Sequence, residues 1–236
     1  MLFKIQRFDS LDSTNRYLLD EARAGAPEGL VAVADHQTAG RGRRGRSWVA
    51  PPGASLLVSV LLRPSLTPDR AQLLSIAAGL AMADAIASVA GFRPDLKWPN
   101  DLLVDDKKLA GLLAEADGDA VVVGVGVNVE WHDFPPEVAE LATACNVVTG
   151  RSVDRDAILD EFLVRFGERC RDLEGVLADY RARLATLGRR VRVETGTGTF
   201  TGTAVGVGGR GELLVDRDGS GPVAVHAGDV VHLRVA

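Results

Sequence analysis

The sequence predicts an α+β protein, in which a β-sheet flanked by helices is followed by a small β-barrel. Strand and helix patterns are interspersed along the first 187 residues, which predicts the sheet and its helices. Beyond Gly188 the composition changes to valine, threonine and glycine with frequent turn signals, and the five short strands predicted there favour a barrel. Apolar residues make up 46% of the chain and charged residues 25%, which is typical of folded proteins and disfavours disorder. We therefore expect two domains, residues 1–187 and residues 188–236.

The individual elements follow from hydrophobic periodicity and from residues that begin or end helices. The small polar residues Asp12, Ser13, Thr14 and Asn15 can cap the first helix. Thr67 with Pro68 predicts the start of the longest one, because proline suits the first helical position. Asp105 and Asp106 predict a hairpin turn. Helices are expected over residues 14–25, 67–91 and 155–187, the last interrupted at Gly167 and Gly175. Strands are expected at residues 2–8, 30–34, 55–62, 96–98, 102–104, 109–115, 120–129, 190–194, 199–207, 212–216, 223–226 and 230–235.

Charge, cysteine and hydropathy patterns exclude several classes of protein. The net charge of −5 disfavours a general nucleic-acid binder. Cys145 and Cys170 form no CxxC motif and the four histidines form no metal pattern, so we expect reduced thiols and no transition metal held by the protein. No uninterrupted apolar stretch of about 20 residues predicts a membrane span. The start MLFKIQRFDS lacks the apolar core of a secretory signal, so we expect a cytoplasmic protein.

The segment GRGRRGRSW, residues 40–48, concentrates four arginines within this acidic chain. Its alternating glycines let the backbone fold tightly and approach a ligand, while the guanidinium groups offer permanent charge and planar donor arrays. These properties suit a phosphate group. A solvated surface loop, an RNA-binding segment and a plain surface turn are the alternatives. The acidity of the chain and Trp48 at the end of the segment favour a small-molecule phosphate site.

The segment KWPNDLL, residues 97–103, places polar side chains where a strand must end or bend. Pro99 fixes its own φ angle and lacks an amide hydrogen, so Asn100 and Asp101 lie at a turn. An aspartate near a phosphate site can hold Mg²⁺ together with the phosphates. Lys97, taken alone, is typical of an exposed strand residue.

Two further segments gain meaning only beside the first two. In KKLAGLLAE, residues 107–115, Lys108 precedes an alternating strand in which Gly111 leaves room for a close neighbour, although a lysine at a strand end is usually a surface residue. GVGVN, residues 124–128, lacks the spacing of a dinucleotide fold, and no Walker lysine–serine pair is present. Any nucleotide is therefore bound without a P-loop.

In order and spacing these four segments, together with STN at residues 13–15 and HQTA at residues 36–39, resemble the biotin–protein ligase family. The resemblance covers residue 8 to the end of the chain. It implies a mixed catalytic sheet flanked by helices, of the biotin/lipoate ligase type, and a C-terminal SH3-like barrel. Bifunctional members carry an N-terminal helix-turn-helix domain; because the motifs here begin near residue 10, the chain resembles the monofunctional type without DNA binding.

The resemblance also implies a reaction and its residues. Biotin and ATP, with Mg²⁺, form biotinyl-5′-AMP, and a lysine of a biotin carboxyl carrier domain then takes the biotin. Lys108 and Arg43 are the implied catalytic residues. The implied biotin-binding residues are Ser13, Thr14, Asn15, Gln37, Arg41, Gly42, Arg43, Lys108 and Gly111. The implied ATP- and adenylate-binding residues are Arg41, Arg43, Arg46, Trp48, Lys97, Asn100, Asp101 and Asn128, with Asp101 nearest a Mg²⁺ ion carried by the phosphates.

The partners and the alternatives complete the expectations. The carrier domain of an acetyl-CoA, propionyl-CoA or pyruvate carboxylase is the expected acceptor, and the enzyme is expected to be a monomer or a ligand-promoted homodimer. A lipoate–protein ligase would share the architecture, but the arginine-rich segment and KWPND favour biotin. A nucleic-acid-binding module would need exposed stacking aromatics, whereas residues 188–236 contain one aromatic residue, Phe200.

Overall fold

The computed structural model describes residues 2–66, 70–196 and 198–233. The described residues form five α-helices: α1 (Thr14–Arg23), α2 (Gln72–Ala90), α3 (Cys145–Thr149), α4 (Arg155–Arg169) and α5 (Leu173–Arg183). The first seven strands are β1 (Lys4–Leu11), β2 (Leu30–Gln37), β3 (Ser55–Leu62), β4 (Asp95–Lys97), β5 (Asp101–Val104), β6 (Lys107–Asp117) and β7 (Ala120–Asn128). The remaining five are β8 (Arg190–Thr195), β9 (Gly198–Val207), β10 (Leu213–Asp216), β11 (Pro222–Val225) and β12 (Asp229–His232).

The strands form two sheets. The first has the order β1-β2-β3-β7-β6-β5-β4, with β1 parallel to β2 and every other neighbouring pair antiparallel. The second is antiparallel throughout, with the order β11-β10-β9-β8-β12. A mixed sheet with helices and a separate C-terminal antiparallel sheet confirm the predicted α+β class.

Helix α2 forms the centre of the core because it is apolar around its whole circumference. The sheet covers one side of it, and α4 and α5 cover another. Small residues such as Gly79 bring it close to the sheet, where a Cβ at that position would lie 3.5 Å from Leu96. The helix is long and apolar enough to cross a membrane by composition, but most of it is buried inside the protein. The predicted start at Thr67 and Pro68 lies outside the described residues, and α2 begins at Gln72.

Helix α1 covers the opposite face of the sheet. Ser13, one of the predicted capping residues, is its N-cap, and the Ser13 hydroxyl accepts a hydrogen bond from the amide of Arg16. Leu18, Leu19 and Ala22 then pack against β2, β3 and β7. The cap matters for the site, because it places the side chains at the start of the helix over the middle of the sheet.

The structure corrects the predicted helix over residues 155–187, which is two helices. The chain breaks at Asp172 rather than at the two glycines, since both Gly167 and Gly175 lie inside helices. The Asp172 carboxylate accepts a hydrogen bond from the Gly175 amide at 2.9 Å and so caps α5. The predicted turn at residues 105–106 is confirmed: both aspartates have positive φ angles, as a tight hairpin requires.

A carboxylate on α2 connects the three helices of one face. The Asp84 side chain is only 12% exposed; it contacts Arg93, and it lies 2.6 Å from Arg169 and 3.0 Å from Arg183. Burial raises the pKa of Asp84, but the hydrogen bond from Arg169 and the charges of the three arginines outweigh it and hold the pKa below its ordinary value. The ion pairs of Asp84 therefore stabilise the packing of α2 against α4 and α5.

We expect Asp84→Asn to lower the free energy of unfolding at pH 7 by about 2 kcal/mol, less than a fully buried pair would lose. Because the folded pKa is depressed, the advantage of the wild type is present above the unfolded pKa of about 4 and is lost as pH falls through the folded value. Urea unfolding at several pH values measures this. Asp20→Asn, which breaks an exposed pair with Arg23, is the control. Equal stability of the Asp84 and Asp20 variants at pH 7 would contradict the assignment.

Candidate active site

The predicted functional segments meet in one pocket of about 120 Å³. It is surrounded by the start of α1, the end of β2 and residues 40–48, which we call the Gly–Arg loop. Residues of β6 and β7 also line it. The predicted residues that line the pocket are Ser13, Thr14, Asn15, Gln37, Arg41, Gly42, Arg43, Arg46, Trp48, Asn100, Lys108 and Gly111. Lys97, Asp101 and Asn128 do not line it. Sequence reasoning missed the apolar wall, which Leu57, Leu112, Leu113 and Val125 supply.

One side of the pocket, its floor, is a buried polar cluster. The Gln37 side-chain oxygen accepts a hydrogen bond from the Thr14 amide at 2.7 Å and lies 2.9 Å from the Thr14 hydroxyl. The hydroxyl of Ser59, fully buried on β3, lies 2.7 Å from the Thr14 hydroxyl and 2.6 Å from the Asn15 side-chain oxygen. Two hydroxyl hydrogens thus serve three oxygen–oxygen contacts. The floor therefore has a surplus of acceptors, which suits a ligand that donates N–H hydrogen bonds.

Ser59 is a residue that sequence reasoning missed. It belongs to SLLVSVLL, the strand β3, in which every residue is buried. The available signal is the serine itself, since a hydroxyl on a strand of mostly apolar, buried residues needs a hydrogen-bond partner.

The glycines of β6 and β7 make room for the side chains above them. A Cβ at Gly126 would lie 2.6 Å from the Trp48 indole, and one at Gly111 would lie 3.0 Å from it. A Cβ at Gly124 would lie 2.1 Å from the Asn15 oxygen. The GVGVN segment thus serves close packing beneath the pocket, and the indole N–H of Trp48 is buried without a partner among the described residues.

Lys108 extends into the pocket beside Gly111 and Trp48. Its ammonium nitrogen lies 2.7 Å from the Asp101 carboxylate and 5.6 Å from the centre of the Trp48 ring. Its backbone is held on both sides, because its amide donates to Leu141 at 2.7 Å and its carbonyl accepts from Thr143 at 3.0 Å. A fixed backbone and one acidic partner leave a directed positive charge at this end of the pocket.

Lys97 lies behind Lys108 and Asp101 rather than in the pocket wall. Burial lowers the pKa of Lys97, the charge of Asp101 partly opposes the shift, and Lys108 adds to it. The charge of Lys97 therefore interacts with those of Asp101 and Lys108.

The four arginines of the Gly–Arg loop differ in their partners. Arg41 lies 3.0 Å from Glu115, and both Arg44 and Arg46 contact Asp229, at 3.4 and 2.7 Å. Arg43 instead donates to the side-chain oxygen of Asn100 at 3.2 Å and forms no ion pair with a carboxylate of the described residues. Burial lowers the pKa of Arg43 despite the nearby charges of Asp229 and Asp101. Of the four, Arg43 is the guanidinium left to bind an anion in the pocket.

The structure places Asn128 away from the position predicted for it. The side-chain nitrogen donates to the Thr143 carbonyl at 3.0 Å, and the side-chain oxygen accepts from the Ser55 hydroxyl at 3.3 Å. The residue is buried at the end of β7. In this conformation Asn128 connects β3, β7 and residue 143, and its amide does not face the pocket, because both of its polar atoms are occupied.

The C-terminal domain contacts both the Gly–Arg loop and the core. Arg44 also donates to the Glu194 carbonyl at 3.2 Å, so β8 and β12 together hold the Gly–Arg loop. The Gly211 carbonyl accepts from the Trp98 indole at 2.9 Å and from Gln72 at 3.2 Å. The second sheet therefore contacts two arginines of the Gly–Arg loop from outside the pocket.

Comparison with known proteins gives the site a context. Residues 7–129 match the biotin/lipoate A/B protein ligase family, and residues 186–233 match the biotin protein ligase C-terminal domain. The biotin–[acetyl-CoA-carboxylase] ligase of Mycobacterium tuberculosis is 43% identical over 94% of this chain and 86% of its own length. The bifunctional ligase/repressor BirA of Bacillus subtilis is 37% identical over 70% of this chain. The match covers 53% of the length of that protein. The biotin protein ligase of Aquifex aeolicus, solved in complex with biotin and ATP, superposes with a TM-score of 0.87 at 29% identity, covering 98% of this chain and 99% of that one.

Proposed function

The chain belongs to the biotin/lipoate A/B protein ligase family, and on that premise we propose which of its residues carry out the reaction. The protein is an enzyme, a biotin–protein ligase, which activates biotin with ATP as biotinyl-5′-AMP and transfers it to a carboxylase. The observation that best fits this chemistry is the pocket itself: an acceptor-rich floor lies at one end, and at the other lies the guanidinium of Arg43, which forms no ion pair with a carboxylate of the described residues.

We assign the floor to the ureido ring of biotin, which offers two N–H donors. Thr14, Gln37 and Ser13 supply acceptors there, and Asn15 supports them from behind. The apolar wall and the glycine surface at Gly111 suit the thioether ring and the valeryl tail. The backbone of Arg41 and Gly42 covers the ligand, and its carboxylate points towards Lys108 and Arg43.

For ATP and the adenylate we propose Trp48, Arg46, Asn100, Lys97 and Asp101. The buried indole N–H of Trp48 has no partner among the described residues and fits a ligand acceptor. The Asn128 side chain could join this set only by exchanging its bonds to Ser55 and Thr143.

The reaction brings two anions together, so its barrier depends on positive charge. The biotin carboxylate attacks the α-phosphorus of ATP and pyrophosphate leaves; the ε-amine of the acceptor lysine then attacks the mixed anhydride and AMP leaves. Lys108 and Arg43 stabilise the negative charge that builds up on the transferring phosphoryl group. Both are held in advance, Lys108 by Asp101 and Arg43 by Asn100, so little reorganisation is needed.

We propose that Mg²⁺ enters with the phosphates of ATP. No group of three or more metal-ligating side chains is found in the part of the chain that the structure describes. Mg²⁺ commonly uses one or two carboxylates together with nucleotide phosphates, and Asp101 is a carboxylate beside the pocket that fits this role. Bound there, the ion would neutralise phosphate charge.

The acceptor, assembly and location are also proposals. The name of the mycobacterial relative supports the carrier domain of an acetyl-CoA carboxylase, and we extend the class to propionyl-CoA and pyruvate carboxylases. We propose a soluble cytoplasmic enzyme, monomeric or dimerising when ligand binds, with domains at residues 1–187 and 188–236. We also propose that it does not bind DNA, since three of the four loop arginines already contact carboxylates and the net charge is −5.

The test of the function is pyrophosphate release with ATP and Mg²⁺, measured separately with biotin and with lipoate, and followed by transfer to a carrier-domain lysine. We expect release with biotin only. Release with lipoate only would retain the fold and replace the substrate, and release with neither would contradict the mechanism.

We propose that the C-terminal sheet holds the Gly–Arg loop in place through Asp229, and a substitution of that residue tests this role. We expect Asp229→Asn to release biotinyl-5′-AMP about five-fold faster, because partly exposed ion pairs of this kind contribute about 1 kcal/mol. Chase experiments with labelled adenylate measure the rate. Asp218→Asn is the matched control, since it removes an exposed carboxylate of the same domain that contacts Arg190, away from the Gly–Arg loop. Equal rates of biotinyl-5′-AMP release from the two variants would exclude a role of Asp229 in holding the Gly–Arg loop.

A further inference from the structure

Glu115 on β6 is a carboxylate at the rim of an anion-binding pocket. Its side chain is 21% exposed, and its two oxygens point to two different parts of the site. One lies 3.0 Å from the Arg41 guanidinium at the base of the Gly–Arg loop. The other accepts a hydrogen bond from the Asn15 amide at 2.9 Å. An unpaired carboxylate here would repel anionic ligands, and its contact with Arg41 removes that cost.

Asn15 connects Glu115 to the pocket floor. Its side-chain nitrogen also donates to the Leu113 carbonyl at 3.2 Å, and its side-chain oxygen lies 2.6 Å from the Ser59 hydroxyl. Both hydrogens of the amide are therefore used within the protein, which leaves none for a ligand. In this structure Asn15 accordingly connects Ser59 to Glu115, and it helps to fix the position of the Glu115 side chain.

Arg41 is the point at which the Gly–Arg loop closes on itself. It forms an isolated β-bridge with Ser47, and the Gly42 amide donates to the Arg46 carbonyl at 2.6 Å just inside it. A contact that fixes the Arg41 side chain therefore fixes the base from which Arg43 projects into the pocket.

We propose that Glu115 is a positioning residue that couples the pocket floor to the Gly–Arg loop, through the series Ser59, Asn15, Glu115 and Arg41. This inference rests on the proposed site for biotin and its adenylate. Ser59 and Asn15 hold Glu115 against the floor, Glu115 holds Arg41, and the loop therefore stays over the adenylate. Glu115 contacts the reaction only through these residues.

The substitution Glu115→Gln separates the two contacts of the carboxylate. Its amide oxygen can still accept from Asn15, but its amide nitrogen replaces the attraction for Arg41 with an unfavourable contact between two donors. We expect adenylate release to rise about ten-fold while the Kd for biotin alone changes less than about three-fold. Glu115→Ala loses both contacts and weakens biotin binding as well. Asp117→Asn is the matched control, because Asp117 is a carboxylate of the same strand that contacts Arg23 outside the pocket.

A double variant tests whether Glu115 and Arg41 act as one unit. Glu115→Gln combined with Arg41→Gln is expected to release adenylate no faster than either single variant. Additive effects would overturn the coupling. Arg41→Gln also keeps the test valid if Glu115→Gln fails to fold, because it breaks the same contact from the loop side.

Trypsin cleavage within residues 41–46 gives a readout that does not depend on activity. We expect the loop of Glu115→Gln, without ligands, to be cut several-fold faster than that of the wild type or Asp117→Asn. Unchanged cleavage together with unchanged adenylate release would overturn the inference while leaving the function intact. Failure of the wild type to release pyrophosphate with biotin would instead overturn the proposed function, and faster cleavage in Glu115→Gln would still support the contact. Equal weakening of biotin and adenylate binding in Glu115→Gln would overturn the inference, because it would make Glu115 a ligand-binding residue.

Discussion

Replacing Lys108 with alanine is expected to slow the formation of biotinyl-5′-AMP about 30- to 1000-fold, a loss of about 2–4 kcal/mol of transition-state stabilisation. The ammonium group is held in the pocket by Asp101, and the backbone of Lys108 is fixed on both sides by Leu141 and Thr143. Pyrophosphate release at saturating biotin and ATP measures the effect on the chemical step. Lys108→Arg is expected to recover only part of the rate, because a planar guanidinium does not fit the space that Gly111 and Trp48 leave for an ammonium group.

The control for Lys108 is its neighbour in the chain. Lys107→Ala removes the same charge from a residue that does not line the pocket, and we expect its rate to stay within about three-fold of the wild type. Asp101→Asn tests the acidic partner: it frees Lys108 from its ion pair but removes a group that orients it. A Lys108→Ala enzyme as fast as Lys107→Ala would remove Lys108 from the catalytic residues.

Features that depend on neighbours in sequence could be predicted. Ser13 caps α1 because its side chain reaches an amide three residues later, and residues 105–106 form a hairpin because aspartates tolerate positive φ angles. The motif segments are equally local, and their resemblance to the biotin–protein ligase family predicted that they form one site. The α+β class followed from the same local patterns.

Features that depend on pairings across the sheet could not be predicted. Glu115 contacts Asn15 across a sequence separation of 100 residues, and Arg46 contacts Asp229 across a separation of 183 residues. Only the folding and packing of the two sheets bring these residues together. Asn128 shows the same limit in reverse. The motif predicted that its amide faces the ligand, but Ser55 and Thr143, which no pattern connects to it, decide which way the amide points.

The neutralisation of the other loop arginines gives Arg43 the second large expected effect. Arg43→Gly is expected to release biotinyl-5′-AMP about 100-fold faster and to biotinylate bystander proteins, because it removes the guanidinium that Asn100 aims into the pocket and loosens the loop that excludes water. Adenylate release and streptavidin blots of an added non-substrate protein measure both consequences. Arg44→Gly is the control: it removes an equal charge from the next position, where φ is +56° and glycine fits, and it leaves the contact of Arg46 with Asp229 in place. If Arg43→Gly retained its adenylate as well as Arg44→Gly, the position of the lost charge within the loop would not affect retention of the adenylate. Retention would then have to depend on Lys108 and the floor.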